Sequence, residues 1–157
     1  MKTAIAALFL GLSTVGTSVA AETFKETFEC EFGRGLANRP TPSRVVFSVD
    51  EYGRSALLHN VEIPKLDTDT GSGRIKRDTH KLLAIAWVGD NYLYTASGRP
   101  YATNESRYDA IDLRDLEFTI NLNRNTMKAT VKSATSIAYN RRDGFAKGSC
   151  IAIAAPK

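Results

Sequence analysis

The sequence predicts an all-β protein: a single antiparallel barrel or sandwich of about eight strands, closed by one disulfide. Three observations lead there. Apolar residues recur with period two rather than 3.6 along most of the chain. Turn signals arrive about every eight to twelve residues. No segment carries the amphipathic pattern of a helix.

The elements follow in order. In TFKETFECEF (23–32), Phe24, Phe28, Cys30 and Phe32 share one parity, and Thr23, Lys25, Thr27, Glu29 and Glu31 share the other. One face is apolar and one charged, as a half-buried strand requires. Glu26 breaks the alternation and marks a strand end or rim. GRGLANRPTPS (33–43) is loop, punctuated by Gly and Pro. RVVFSVD (44–50) alternates again, with Val45, Phe47 and Val49 on one side. DEYG (50–53) is a turn, with Gly53 in the left-handed position. RSALLHNVEI (54–63) completes a hairpin and places Leu57, His59, Val61 and Ile63 on one face.

PKLDTDTGSG (64–73) reads as a polar loop and RIKRD (74–78) as a short strand. KLLAIAWVG (81–89) is a strong strand with too few polar residues for a solvated face. GDN (89–91) turns it back into NYLYTAS (91–97), and residues 98–110 form a long irregular connection. IDL (111–113) is short. LEFTINL (116–122) points Leu116, Phe118, Ile120 and Leu122 inward and Glu117, Thr119 and Asn121 outward. NRNT (123–126) turns it into MKATVKS (127–133), with Met127, Ala129 and Val131 inward and Lys128 and Lys132 outward, facing Glu117 across the ladder. After a loop at 134–144, a final strand over 145–154 carries Cys150.

The first twenty residues, MKTAIAALFLGLSTVGTSVA, have the organisation of a secretory signal peptide: Lys2, an apolar run over 4–12, and small residues at Ser18 and Ala20 before the cut. The run is too short to span a membrane, where about 20 apolar residues are needed. The expected domains are therefore a signal peptide at 1–20 and one all-β domain at 21–157, delivered to the periplasm or the medium. The residues after the cut, Ala21-Glu22-Thr23, exclude a lipid-anchored cysteine there. Of 21 basic and 17 acidic residues, cleavage removes only Lys2, leaving 20 against 17, a net charge of +3. That is too mild for a nucleic-acid footprint. Two cysteines in an exported chain are most simply one disulfide, Cys30–Cys150. A soluble monomer with no cofactor and no transmembrane segment is expected.

The frame FECEFG, the stretch LEFTINLNRNTMKATVKS and the closing GSC resemble small exported bacterial β-proteins of unassigned function, in which a cysteine near each end brackets the domain. Size and cystine also resemble periplasmic inhibitor barrels and lipocalin-like binders. The resemblance implies a shape and no activity.

Motifs for chemistry are sparse. Asp69-Thr70-Gly71-Ser72 matches the short aspartic-protease signature, but that chemistry needs two aspartates sharing a proton, and the stretch has no second copy. Asp67-x-Asp69-x-Gly71 has a calcium-like spacing, yet an EF-hand frame started at Asp67 puts Gly and Ser where a ligand and a Gly belong. A surface loop, with a looser calcium site as the alternative, is the reading for 67–73. His59 and His80 lack zinc-site spacing, so no metal site is assigned.

Basic residues gather in RIKRDTHK (74–81) and NRRDGFAK (140–147), solvated faces that would suit an anionic partner. Residues 86–108 hold the only Trp and four of the six Tyr. The expected binding residues are Trp87, Tyr92 and Tyr94 on one hairpin face, and Arg99, Tyr101, Arg107 and Tyr108 in the loop that follows, since aromatic and Arg side chains make binding hot spots. The expected function is non-catalytic recognition of a protein or cell-envelope component, with Trp87 and Tyr101 at least partly exposed. A small hydrolase with a cleft of scattered polar residues and a lipocalin-like carrier of an apolar ligand are the alternatives.

Overall fold

The computed structural model describes residues 24–36, 39–64, 69–89, 93–95, 110–135 and 143–156. Eight of the ten strands among the described residues close into one antiparallel barrel. They are β1 (Phe24–Phe32), β2 (Arg44–Asp50), β3 (Ser55–Glu62), β4 (Asp69–Asp78), β5 (Leu82–Val88), β8 (Leu116–Asn123), β9 (Lys128–Thr135) and β10 (Gly144–Ala152). Around the wall they run β1-β10-β9-β8-β5-β4-β3-β2, so the first strand lies between the second and the last. Among the described residues, the short strands β6 (Leu93–Thr95) and β7 (Ala110–Asp112) pair only with each other. A 3-10 turn, Leu113–Asp115, leads into β8.

Strand alternation sends one set of side chains inward. Phe28 and Phe32, Val45, Phe47 and Val49, Leu83, Ile85 and Trp87, Phe118, Ile120 and Leu122, and Val131 are all buried in one core. An eight-stranded barrel is just wide enough for side chains to fill it, and these large residues do so. Cys30 lies directly opposite Cys150 in the β1–β10 ladder, and the two are joined in a disulfide. The staple thus spans the seam that turns a sheet into a barrel. Gly148 also belongs to this seam: a Cβ there would stand 1.9 Å from the carbonyl oxygen of Glu31, so only glycine allows β10 to approach β1 this closely.

Two strands depart from expectation. In β3 the inward residues are Ala56, Leu58, Val61 and Ile63, not the set beginning with Leu57. A bulge explains it. Val46 faces Asn60 while Phe47 faces Leu58, so His59 is an extra residue and the alternation changes phase across it. Second, β4 begins at Asp69, so residues 69–73 are strand and not loop: Gly71, Ser72 and Gly73 face Leu58, Leu57 and Ala56 of β3. Glycine weakens a strand, but the β3 ladder holds this stretch in place. At Gly73 the missing side chain is useful, because a Cβ would crowd the Ala86 carbonyl oxygen at 3.1 Å. The Gly53 turn is as expected, with φ at +66° and the Gly53 amide donating to the Asp50 carbonyl.

Candidate binding surface

The barrel has two unlike ends. At one, three tight turns join β2 to β3, β4 to β5 and β8 to β9. At the other, β1, β3, β5 and β9 end and β2, β4, β8 and β10 begin. The expected aromatic site lies in the connection after β5. There the structure corrects the sequence reading of Trp87. Its ring is 5% exposed and stacks on Phe118 at 5.4 Å, inside the barrel. Trp87 faces Phe118 because β5 pairs with β8, not with the segment after its turn. The expected hairpin of 81–97 does not form: β6 pairs with β7 instead, with Tyr94 opposite Ile111. Tyr92, Arg99, Tyr101, Arg107 and Tyr108 lie outside the described residues. Leu113 covers this end of the core and is fully buried. Pro40 lies over the far side, its carbonyl accepting from Ser133 Oγ at 2.6 Å.

The tight-turn end is closed by charge. Arg124, in the β8–β9 turn, donates to Glu26 on β1 at 2.5 Å and to Asp78 on β4 at 2.6 Å. Lys25 also donates to Asp78, at 3.1 Å. These strands stand apart in the wall, so the network bridges the barrel mouth. Burial raises the Asp78 pKa, but hydrogen bonds from Arg124 and Lys25 outweigh it and hold the carboxyl below its ordinary range. Burial disfavours the Arg124 cation, but the bonds to Glu26 and Asp78 prevail and raise its pKa. Glu26 is a rim residue, and the register shift beside it accounts for its broken parity.

On the outer face of β1–β3, a chain of hydrogen bonds runs from Thr27 Oγ1 to Ser48 Oγ and on to His59 Nε2, each 2.7 Å. It has the atoms of a nucleophile–base pair. Ser48 is fully buried, however, and Phe24 packs edge-on against the imidazole at 5.7 Å. The serine has no room to meet a substrate, and the chain ties three strands together. Asp69 to Ser72, the protease-like and calcium-like stretch, lies in β4. Among the described residues no three His, Cys, Asp or Glu side chains gather in a way that could hold a metal, and no helix is long and apolar enough to cross a membrane.

The remaining exterior divides by charge. On the wall of β1–β3, Arg44 bonds Glu29 at 2.6 Å and Glu62 at 2.8 Å. The bond from Arg44 first, and one from the Asn60 amide at 2.9 Å second, hold the Glu62 carboxyl below its ordinary range. The wall from β4 through β5, β8 and β9 to β10 is basic: Arg74, Lys76, Arg77, Lys128, Lys132 and Lys147 point outward around one carboxylate, Glu117. Glu117 does not pair with the β9 lysines, as the sequence suggested. Ala134 stands opposite it, and it reaches the other way to Arg74 and, at 2.9 Å, Lys76. Those two bonds, Lys76 first, lower its pKa. They cross above Ala86, which explains why the middle of β5 needs no polar face: of its outer residues Leu82, Ala84, Ala86 and Val88, the two alanines are buried under neighbours from both sides and only the end residues are exposed.

Beside the bridge lies a groove of about 280 Å³, lined by Lys76, Arg77, Leu82, Ala84, Thr119 and Asn121 among others. No family model, curated protein or solved structure matches the chain. The wall was only partly readable in advance: the basic run at 74–81 and Lys147 stood out in the sequence, while Lys128 and Lys132 read as ordinary outward residues.

Proposed function

We propose that this is an exported, non-catalytic binding protein that recognises a protein or cell-envelope component through its exterior. The observation that carries the reading is the filled barrel. Phe28, Phe47, Trp87 and Phe118 occupy the space where a carrier would hold an apolar ligand or a hydrolase would place a cleft. The polar and charged side chains available to a partner therefore face outward. The Cys30–Cys150 staple suits an oxidising compartment, in keeping with the signal-like N-terminus.

The test is an affinity pull-down with the mature chain from its own envelope extract. A component enriched over bare resin is expected. Arg99→Ala/Tyr101→Ala probes the connection after β5; Trp87→Ala does not serve, because it would empty the core. If no component is retained above the resin control, the binding reading fails.

A further inference from the structure

We infer that the basic wall of the barrel is a binding face for an acidic glycan, a chain of sugar units bearing carboxylate or phosphate groups. The proposal rests on the surface-binding reading above and names the ligand class. It comes from the sheet register. Across four consecutive ladders, Arg77 faces Ala84, Ala84 faces Asn121, Asn121 faces Thr130, and Thr130 faces Lys147. The next row reads Arg74, Ala86, Thr119, Lys132 and Phe145. The rows place free cations on β4 (Arg77) and on β9–β10 (Lys132 and Lys147), with a floor of Ala84, Asn121, Thr119 and Thr130 on the strands between; Arg74 of the second row is held by Glu117.

β4 and β10 are four places apart in the closed ring of eight, so Arg77 and Lys147 are separated by about 19 Å of curved wall at about 4.8 Å per strand, and a short oligosaccharide crossing the strands follows the barrel's outer curve. Lys128, Lys132, Lys147 and Arg77 make no ion pair with any described carboxylate. Their charge is uncommitted, unlike that of Arg44 or Arg124. The floor matches the other half of such a ligand. Hydroxyls and amides each donate and accept, as sugar hydroxyls require, and the small Ala84 side chain lines the groove beside them. The groove lined by Ala84, Thr119 and Asn121, with Lys76 and Arg77 on its bank, offers a seat for one ring with its acid group on the cations.

The same chemistry disfavours other polyanions. Unpaired nucleic acid is held by aromatic stacking platforms, and this floor has none. A protein partner would want a large aromatic or aliphatic anchor at the centre, where the wall has alanine; exposed Val88 stands at the end of β5. The exposed apolar residues Leu82, Val88 and Ile151 are spread over the two ends of β5 and over β10 and make no continuous apolar patch to enter a lipid layer.

The experiment titrates the mature protein by calorimetry with oligogalacturonate and with a phosphorylated mannan. Neutral dextran, phosphatidylglycerol vesicles and single-stranded DNA are compared at the same salt. Binding to at least one acidic glycan and none to dextran is expected; the preferred glycan identifies the acid group. Lys128→Gln/Lys132→Gln/Lys147→Gln changes only exposed side chains, and its unfolding curve should match the parent. It should weaken glycan binding at least about tenfold and flatten the salt dependence by about two to three charges. Asn121→Ala/Thr130→Ala should weaken binding without changing the salt slope. The proposal is overturned if neither acidic glycan binds, if vesicles or DNA bind as tightly, or if the lysine variant binds like the parent. If the lysine variant still recovers its partner from envelope extract while no acidic glycan binds, the surface-binding reading stands and the glycan assignment falls.

Discussion

Breaking the Cys30–Cys150 bond should cost this barrel a large part of its stability, and the loop length sets the scale. The cysteines are 120 residues apart. The chain-entropy relation gives about 16 cal/mol/K for a loop of that length, or about 5 kcal/mol at 25 °C, with measured values often lower. A loss of about 3–5 kcal/mol is therefore expected, a drop of roughly 10–15 °C in Tm for a domain of this size. The β1–β10 ladder, from Phe28–Ala152 to Phe32–Gly148, remains to hold the seam, so the reduced protein should still fold. The assay is urea unfolding of oxidised and dithiothreitol-reduced protein, followed by Trp fluorescence, with Cys30→Ala/Cys150→Ala as a third sample. The m-value should rise on reduction, because the uncrosslinked chain exposes more surface when unfolded. A loss below about 1 kcal/mol on reduction would refute the cross-link reasoning. A loss seen only in the alanine variant would assign the effect to packing of the sulfur atoms.

Other outcomes follow from the same structure. Trp87→Ala should destabilise by about 3–5 kcal/mol, and the parent's fluorescence should be blue-shifted and poorly quenched by iodide; a loss under about 1 kcal/mol would mean the ring is not core. Arg124→Met should cost about 1–3 kcal/mol in a chemical denaturation series, because it leaves Glu26 and Asp78 without their shared cation at the rim. The Asp78, Glu62 and Glu117 pKa values lie below their ordinary range in the folded state. Such carboxylates contribute stability in full above their unfolded pKa, about 4, and lose it as pH falls through the folded value. Stability should therefore be flat from about pH 8 to 5 and decline below about pH 4; a decline beginning near pH 6 would point to a different group. Gly148→Ala should cost about 1–3 kcal/mol through overpacking at the seam, read as a lower urea midpoint.

Local pattern was a good guide wherever a strand is regular. LEFTINL and MKATVKS alternate without a break, and all four inward residues of β8 are buried as expected. The guide failed where a residue was added or a partner was distant. At His59 one extra residue reversed the face of half a strand, and nothing in RSALLHNVEI announces the insertion. Residues 69–73 looked like loop because Gly and Ser dominate, yet β3 supplies a hydrogen-bonding edge that composition does not register. The aromatic hairpin failed for the same reason. A turn signal after β5 suggested a local return, whereas the barrel required β8 beside β5, and Trp87 turned inward to meet Phe118.

By itself, the sequence determined the fold class, the inward set of most strands, the rim position of Glu26 and the pairing of the two cysteines. Those properties depend on period-two alternation and on the presence of only two thiols, both local or countable. Tertiary structure alone decided that the sheet closes, which residues face each other around it, and how charge is distributed outside. Arg77 and Lys147 are 70 positions apart in the chain but lie in one row across four ladders. Strand order brings them there, and strand order is set by how a whole barrel buries its apolar faces, not by any single strand.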